Sequence, residues 1–362
     1  MDMTNNPSPL ILHYFYVSLL WQLPIFIAVI VILFFVITLR KHQPVRSLVK
    51  EGWIPSEQLT DPLDREVFYR RRTLRVGLGL LWVLDGLLQA QPDMSSEFIP
   101  NIVNPSISSL PPFLYNLVEP LVVLWSQSPV QFDILAIWIQ VGIGILLLFG
   151  GNSGLIRLTL WFSILWGMAV WVIGEDFGGV FSNGATWLAG DPGSVLFYMI
   201  GAAFLLLPAK RWREQYVLKY LQRIMAILWM WSAIVQAIPA FGFWSPQGLS
   251  STTLSMAEMP QPASLVAILY AIVHVLSAHP VLWNAIFIIW MGTLGIAWLW
   301  QSKLPFVVPI TLVWIALTWV IGQDFGVLGG LGTDPNSSPV VFLLILSVVM
   351  KSKRKWQPAN HV

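Results

Sequence analysis

The chain of 362 residues has no cysteine and few charged residues. The lack of cysteine excludes disulfide bonds, thiolate metal sites, Cys-ligated iron–sulfur clusters and Cys-attached haem. Motifs for a P-loop, a dinucleotide fold, a Ser-His-Asp triad and an HExxH zinc site are also missing. We expect no haem, iron–sulfur or nucleotide cofactor and no nucleic-acid partner. The sequence disfavours an enzyme without excluding one, and a quinone remains compatible with it.

Charge is scarce because apolar residues dominate. Only 10% of residues are charged and 56% are hydrophobic, whereas about 25% charged is usual in a soluble domain. Several apolar runs are long enough to cross a hydrocarbon core of about 30 Å. These features predict an all-α polytopic membrane protein with nine transmembrane helices. The predicted spans are 12–39, 76–91, 132–149, 158–174, 193–208, 224–240, 281–300, 305–321 and 340–350.

Basic residues predict the orientation. With these spans, all 20 Lys and Arg residues fall on one side. The positive-inside rule makes that side cytoplasmic, so we expect the N-terminus outside and the C-terminus inside a bacterial inner membrane. The basic segments are predicted to contact anionic lipid. They are the loop 40–74, the linker 209–221 and the tail 351–362.

The opposite face has acidic residues and no Lys or Arg. Three interpretations stay open. In the first, the positive-inside rule of membrane insertion is the only reason that basic residues are missing from this face. Alternatively, the acids form a surface that attracts cations, or the protein works in an acidic medium.

An eight-residue phrase occurs twice and indicates an internal duplication. The sequence WVIGEDFG at 171–178 returns as WVIGQDFG at 319–326, and Asp-Pro follows each copy. We predict two parallel four-span repeats, at 75–208 and 222–350, related by a pseudo-twofold axis along the membrane normal. Residues 1–39 form one extra N-terminal span. Because this span is too long for a signal peptide and lacks a basic start, we expect it to be retained.

Other segments align in the same register. Residues 82–92 pair with 229–239, Ser128-Pro129 pairs with His279-Pro280, and Asp133 pairs with Asn284. The apolar segments 113–127 and 263–278 also correspond. Because proline-rich loops bound them, we predict helices that lie on the outer interface or enter the outer half of the bundle.

Asp176 and Asp324 are the first candidates for binding a solute or an ion. Each follows a span on its outer side, where a carboxylate opposes the helix dipole. The alternative is that each caps N–H groups of its own glycine-rich turn. Glu175 pairs with Gln323, so the adjacent carboxylates occur only in the first repeat. We therefore expect the first repeat to carry the site.

Asp85 is an acid inside a predicted span, one turn from Gln89. Intramembrane acids are costly and often functional. Proton relay or substrate contact is one interpretation. The other is a buried, protonated side chain that is hydrogen-bonded across helices, to Gln89 or Gln140.

Asp191 and Asp334 are predicted to be helix N-caps, with proline at the first helical position. The glycine-rich loops before them, 178–190 and 326–332, are either re-entrant segments or surface turns. His274 and His279 offer a weaker hypothesis, a soft-metal site. Because the first repeat has neither histidine, the sequence favours no metal.

Two resemblances add to this interpretation. The duplicated W-x-x-G-[EQ]-D-F-G pattern resembles uncharacterised bacterial multi-pass membrane proteins, which imply no activity. Arg75, Gly79, Trp82 and Gly86 at the opening of a four-span unit are similar to the start of the DoxX-like membrane family. That family includes a subunit of a thiosulfate:quinone oxidoreductase, so the resemblance implies a quinone-linked redox role.

The sequence thus favours handling of a solute, an ion or a lipophilic small molecule, by transport or binding at the outer face. Two alternatives remain: a DoxX-like membrane subunit of a quinone-linked oxidoreductase, and a non-catalytic scaffold or assembly partner in a membrane complex.

Overall fold

A computed structural model describes residues 8–39, 61–150, 153–181, 184–259, 261–300, 304–323, 325 and 332–349. Throughout these ranges the regular elements are helical, and five helices are long and apolar enough to cross a membrane. A sixth candidate is counted if two helices that meet at 83° form one broken span. The predicted all-helical membrane class is therefore confirmed at this level. Most of the basic loop 40–74 and the whole tail 351–362 lie outside the described residues.

The helices are labelled in chain order. They are α1 (Pro9–Leu39), α2 (Pro62–Gln89), α3 (Met94–Ser108), α4 (Pro112–Gln127), α5 (Pro129–Phe149), α6 (Ser153–Ile173), α7 (Ser194–Leu206), α8 (Ala209–Arg213), α9 (Tyr216–Ala237), α10 (Pro246–Glu258), α11 (Ala263–Ala278), α12 (Pro280–Trp298), α13 (Leu304–Ile321) and α14 (Ser337–Val349). The middle of α3, Ile99–Val103, is π-helical. Each predicted span overlaps one of these helices. The five that could cross a membrane by length and apolarity are α1, α5, α6, α12 and α13.

Proline and polar caps fix several helix starts. Asp61 caps α2 by accepting the Leu63 N–H at 2.8 Å, and Pro62 occupies the first turn. Ser245 caps α10 by accepting the Gly248 N–H at 3.1 Å. Because the first helical N–H groups lack intrahelical partners, these positions tolerate proline and favour side-chain oxygens.

One apolar core extends from α2 to α14. Helix α2 packs along α5, α9 packs along α12, and α7 and α14 meet each other beside α2. Large aromatic side chains fill this core and are fully buried. They are Trp82, Trp187, Tyr198, Trp229 and Trp298.

Helix α1 lies at the edge of the bundle. Phe15 is buried against Val130 and Ile134 of α5, but most large apolar side chains of α1 are exposed, Trp21 by 77%. A long helix that is apolar on its outward face suits lipid and not water.

Arginine side chains connect α2 with α7 and α8. The guanidinium of Arg71 donates to the carbonyls of Leu205 and Leu207 at the end of α7. Arg213 forms ion pairs with Asp61 and Asp64 at 2.7 and 3.0 Å. A cation at a helix C-terminus meets carbonyls that lack intrahelical donors.

Candidate functional site

A cavity of about 90 Å³ lies inside the first half of the molecule, residues 75–208, among α2, α3, α4, α5, α6 and the start of α7. We call it the first-half cavity, and residues 222–350 the second half. Its aromatic walls are Trp82, Phe98, Trp125 and Trp166. Its polar walls are Asp85, Gln89, Gln140, Glu175, Thr333 and Asp334. Three residues that the sequence selected for binding, Asp85, Gln89 and Glu175, are thus brought together.

Asp85 lies one turn before the end of α2 and is almost completely buried. Its Oδ1 accepts a hydrogen bond from the Tyr198 hydroxyl on α7 at 3.1 Å. The ring of Tyr198 packs edge-on against Trp82, which fixes the position of the hydroxyl. The acid is therefore hydrogen-bonded across helices, but to Tyr198 and not to Gln89 or Gln140.

Gln89, one turn further along α2, donates from Nε2 to Oδ1 of Asp133 at the start of α5. The residues that the alignment pairs with these two make the same contact: Gln236 donates to Oδ1 of Asn284 at 2.9 Å. A neutral amide replaces the carboxylate in the second half. The contact therefore does not depend on a charged acceptor.

Glu175 follows the last turn of α6. Its carboxylate accepts the Ser194 hydroxyl at 2.7 Å and the Val195 N–H at 3.2 Å. In the second half, Oε1 of Gln323 accepts the Ser338 N–H at 3.0 Å. A glutamine thus makes the corresponding backbone contact at the start of α14.

The loops before α7 and α14 each reach across to the other half. Thr333 and Asp334 belong to the second half but line the first-half cavity, and Gln91 donates to the Gly332 carbonyl at 3.0 Å. In return, the hydroxyl of Thr186 donates to Oε1 of Gln236 at 2.6 Å. The first-half cavity is therefore built from both halves.

Carboxyl groups in these loops have no basic neighbour in the cavity, since the described lining residues include no Lys, Arg or His. Burial raises the pKa of Glu175 above its ordinary value, and the nearby Asp334 raises it further. Burial also raises the pKa of Asp334, against the hydrogen bond from the Asn336 N–H, which favours its charged form. Two acids that interact in this way titrate as a pair.

Asp191 and Asp334 do not cap helices as the sequence predicted. Helix α7 begins at Ser194 with Gly193 at its N-cap position, and Asp191 accepts the Thr186 N–H at 2.6 Å. Asp334 accepts the Asn336 N–H, one residue before α14. Both carboxylates therefore close turns inside their loops. Burial raises the pKa of Asp191 to about 7.

Asp176 is buried but is not among the residues that line the cavity. It lies in a short 3-10 helix, Asp176–Gly179, with φ of 50°, a left-handed conformation that aspartate tolerates better than most residues. Asp324, its counterpart, lies outside the described residues, as does most of the loop 326–332.

His274 and His279 are exposed, the first on α11 and the second before α12. In the part of the chain that the structure describes, no group of three or more His, Asp or Glu residues could hold a metal ion. The histidines and the cavity are therefore separate features.

Sequence reasoning did not select Tyr198 and Ser194, and it named Gln140 only as a partner for Asp85. Ser194 and Tyr198 are one helical turn apart on α7, directly after the Asp-Pro-Gly turn. Because residues four apart lie on the same face of a helix, this spacing predicts that both hydroxyls lie on one face of α7. Gln140 is the polar residue in the apolar middle of α5, and this was the signal available in the sequence.

No family model, no curated protein and no solved structure matches this chain. The geometry of the cavity is therefore the basis for any functional conclusion.

Proposed function

We propose that this chain is a polytopic membrane protein of nine spans that handles a small solute, by binding or transport, in the first-half cavity. One N-terminal span precedes two parallel four-span repeats related by a pseudo-twofold axis. The repeat arrangement is supported by paired residues that make paired contacts. Trp171 and Trp319 each donate from Nε1 to a proline carbonyl, of Pro192 and Pro335, at 2.9 Å.

The observation that carries the functional proposal is the wall of the cavity. Asp85, Glu175 and Asp334 meet there beside several aromatic rings, in space between helices. Buried acids without a basic partner destabilise a fold unless they hold protons or a ligand. A pocket with apolar walls and a few convergent polar groups is a candidate binding site.

The orientation in this proposal puts the cavity at the outer ends of the helices and the basic residues in the cytoplasm of a bacterial cell. The absence of cysteine makes the test direct, because one introduced thiol is the only thiol. Ser251→Cys on α10 should react with an impermeant maleimide in intact cells. Lys210→Cys on α8 should react only after permeabilisation. The opposite pattern would reverse the orientation.

Solute handling is tested with purified protein in micelles. A panel of small neutral, cationic and anionic solutes is scored by the shift in unfolding temperature, then by equilibrium dialysis. We expect saturable binding that Glu175→Gln weakens at least tenfold. Gln323→Glu, the reciprocal change in the second half, is the matched control. If no solute of any charge binds, the proposal fails.

The DoxX-like alternative needs a place for a quinone. The apolar cleft of about 420 Å³ between α1, α5 and α6 could take an isoprenoid chain. However, the Thr159 hydroxyl in the wall of this cleft already donates its proton to the Leu155 carbonyl at 2.9 Å, so it does not offer a quinone oxygen a free donor. Quinone that co-purifies with the protein and is reduced by it would favour this alternative. Stable co-purification with a partner, with no solute bound, would favour the scaffold.

A further inference from the structure

The chemistry of the first-half cavity narrows the class of solute, and this step rests on the function proposed above. Three side chains in its wall are carboxyl groups, and no basic side chain is among the described lining residues. Asp85, Glu175 and Asp334 all line this one cavity. A positively charged solute would relieve their mutual repulsion.

A second, independent feature is an acceptor that the protein does not satisfy. Gln140 is 5% exposed and lines the cavity, and its Oε1 has no hydrogen-bond partner among the described protein atoms. An unpaired buried acceptor costs about 1–3 kcal/mol. A solute with N–H donors would supply the missing partner. Trp166 contributes an unpartnered N–H donor, which would serve a solute with an acceptor, so the test includes such solutes.

The aromatic rings favour the same charge. Trp82, Trp125 and Trp166 line the cavity with Phe98. The faces of such rings attract organic cations, and tryptophan does so most strongly. A metal ion fits less well, because the described residues include no cluster of His, Asp and Glu suited to hold one.

The size of the cavity limits the solute. A volume of about 90 Å³ is smaller than the engineered cavity of about 150 Å³ that holds benzene. By the same proportion, the solute has roughly four non-hydrogen atoms.

We propose that the first-half cavity binds a small organic cation with N–H donors, such as a protonated primary amine. The ammonium group lies among Asp85, Glu175 and Asp334 and donates to Gln140, while the carbon atoms pack against the tryptophan rings.

The test compares two probes of the same shape, isopropylammonium and 2-propanol, by calorimetric titration of the full chain in micelles. We expect one isopropylammonium to bind per chain, at least tenfold more tightly than 2-propanol. Glu175→Gln should weaken binding of the cation at least tenfold and leave the alcohol unchanged. Because Gln323 already makes the corresponding backbone contact, this variant should fold. Gln323→Glu should leave both affinities unchanged.

Other outcomes separate this inference from the proposed function. Equal binding of both probes, or binding of acetate in preference to the cation, would overturn the cation assignment and leave solute handling intact. Failure of every neutral, cationic and anionic solute would overturn both. Asp334→Asn gives a second route if Glu175→Gln does not fold, since the asparagine oxygen can still accept the Asn336 N–H. Loss of cation selectivity in this variant is the expected result, and its retention would contradict the inference.

Discussion

The two halves have corresponding helices but differ where the first-half cavity lies. Trp82, Gln89 and Glu175 line the cavity, and their counterparts are Trp229, Gln236 and Gln323. In the second half, these counterparts contact the loop residues Thr186 and Trp187 instead of lining a cavity. Trp187 is fully buried there, with its ring 5.0 Å from that of Trp229.

Hydrogen bonds hold Trp187 in the second half. Its Nε1 donates to the Thr318 hydroxyl at 2.9 Å, and Gln323 donates to its carbonyl at 3.0 Å. In the sequence, the loop 326–332 of the second half contains no aromatic residue. The first-half loop thus supplies a buried tryptophan to the second half, and the second-half loop has no tryptophan to place in the first-half cavity.

The largest effect should come from Trp187→Ala. Removing a buried tryptophan typically costs about 3–5 kcal/mol, because a space remains where the ring was. We expect a loss of this size in the free energy of unfolding in micelles. Added indole should recover part of it by filling the space. Trp161→Ala is the control, since Trp161 is 58% exposed. A loss no larger than that of the control would refute the comparison.

The next effect is the reverse change in the first half. Ala136 lines the cavity, and the alignment pairs it with Phe287, which is buried against Trp314. Ala136→Phe should fill the cavity and weaken solute binding at least tenfold by equilibrium dialysis. Phe287→Ala should destabilise the second half but leave solute binding unchanged. Unchanged binding in Ala136→Phe would place the solute elsewhere.

A difference in pH dependence should separate Glu175 from Gln323. The pKa of Glu175 is raised in the folded state, by burial and by Asp334, so folding favours its protonated form. Its contribution to stability is fully present below the ordinary pKa of 4.5 and is lost as pH rises through the raised value. Glu175→Gln should flatten the fall in unfolding free energy above pH 4.5, and Gln323→Glu should steepen it. Parallel pH profiles for all three proteins would be evidence against the buried acid.

The smallest effect concerns a hydrogen bond that the two halves share. Trp171 and Trp319 each donate one hydrogen bond to a proline carbonyl at 2.9 Å. Replacing either by phenylalanine removes one hydrogen bond, for which about 0.5–1.5 kcal/mol is typical. We expect similar losses of unfolding free energy for Trp171→Phe and Trp319→Phe. A difference of more than about 1 kcal/mol would show that the two loops are not equivalent.

Helix positions and three of the site residues followed from the sequence, because periodic apolar runs and acids in apolar helices are local signals. Asp85, Gln89 and Glu175 belong to this group. The caps assigned to Asp191 and Asp334 were wrong, because the chain makes one more turn before each helix begins. The contacts of Trp187 were not predictable, since they depend on how a loop crosses to the other half. No local pattern distinguishes a tryptophan that packs against its own helices from one that packs against a distant copy.

The crossing of the loops also bears on how such a chain could have arisen. Thr333 and Asp334 complete a cavity whose remaining walls belong to residues 75–208. If the chain arose by the duplication proposed above, a single four-span unit would have lacked that wall and would have had to act as a homodimer with two identical sites. Fusion would then have made the two loops separately mutable. The loop 178–190 could gain Trp187, which packs against Trp229 of the second half, while the first-half cavity stayed open.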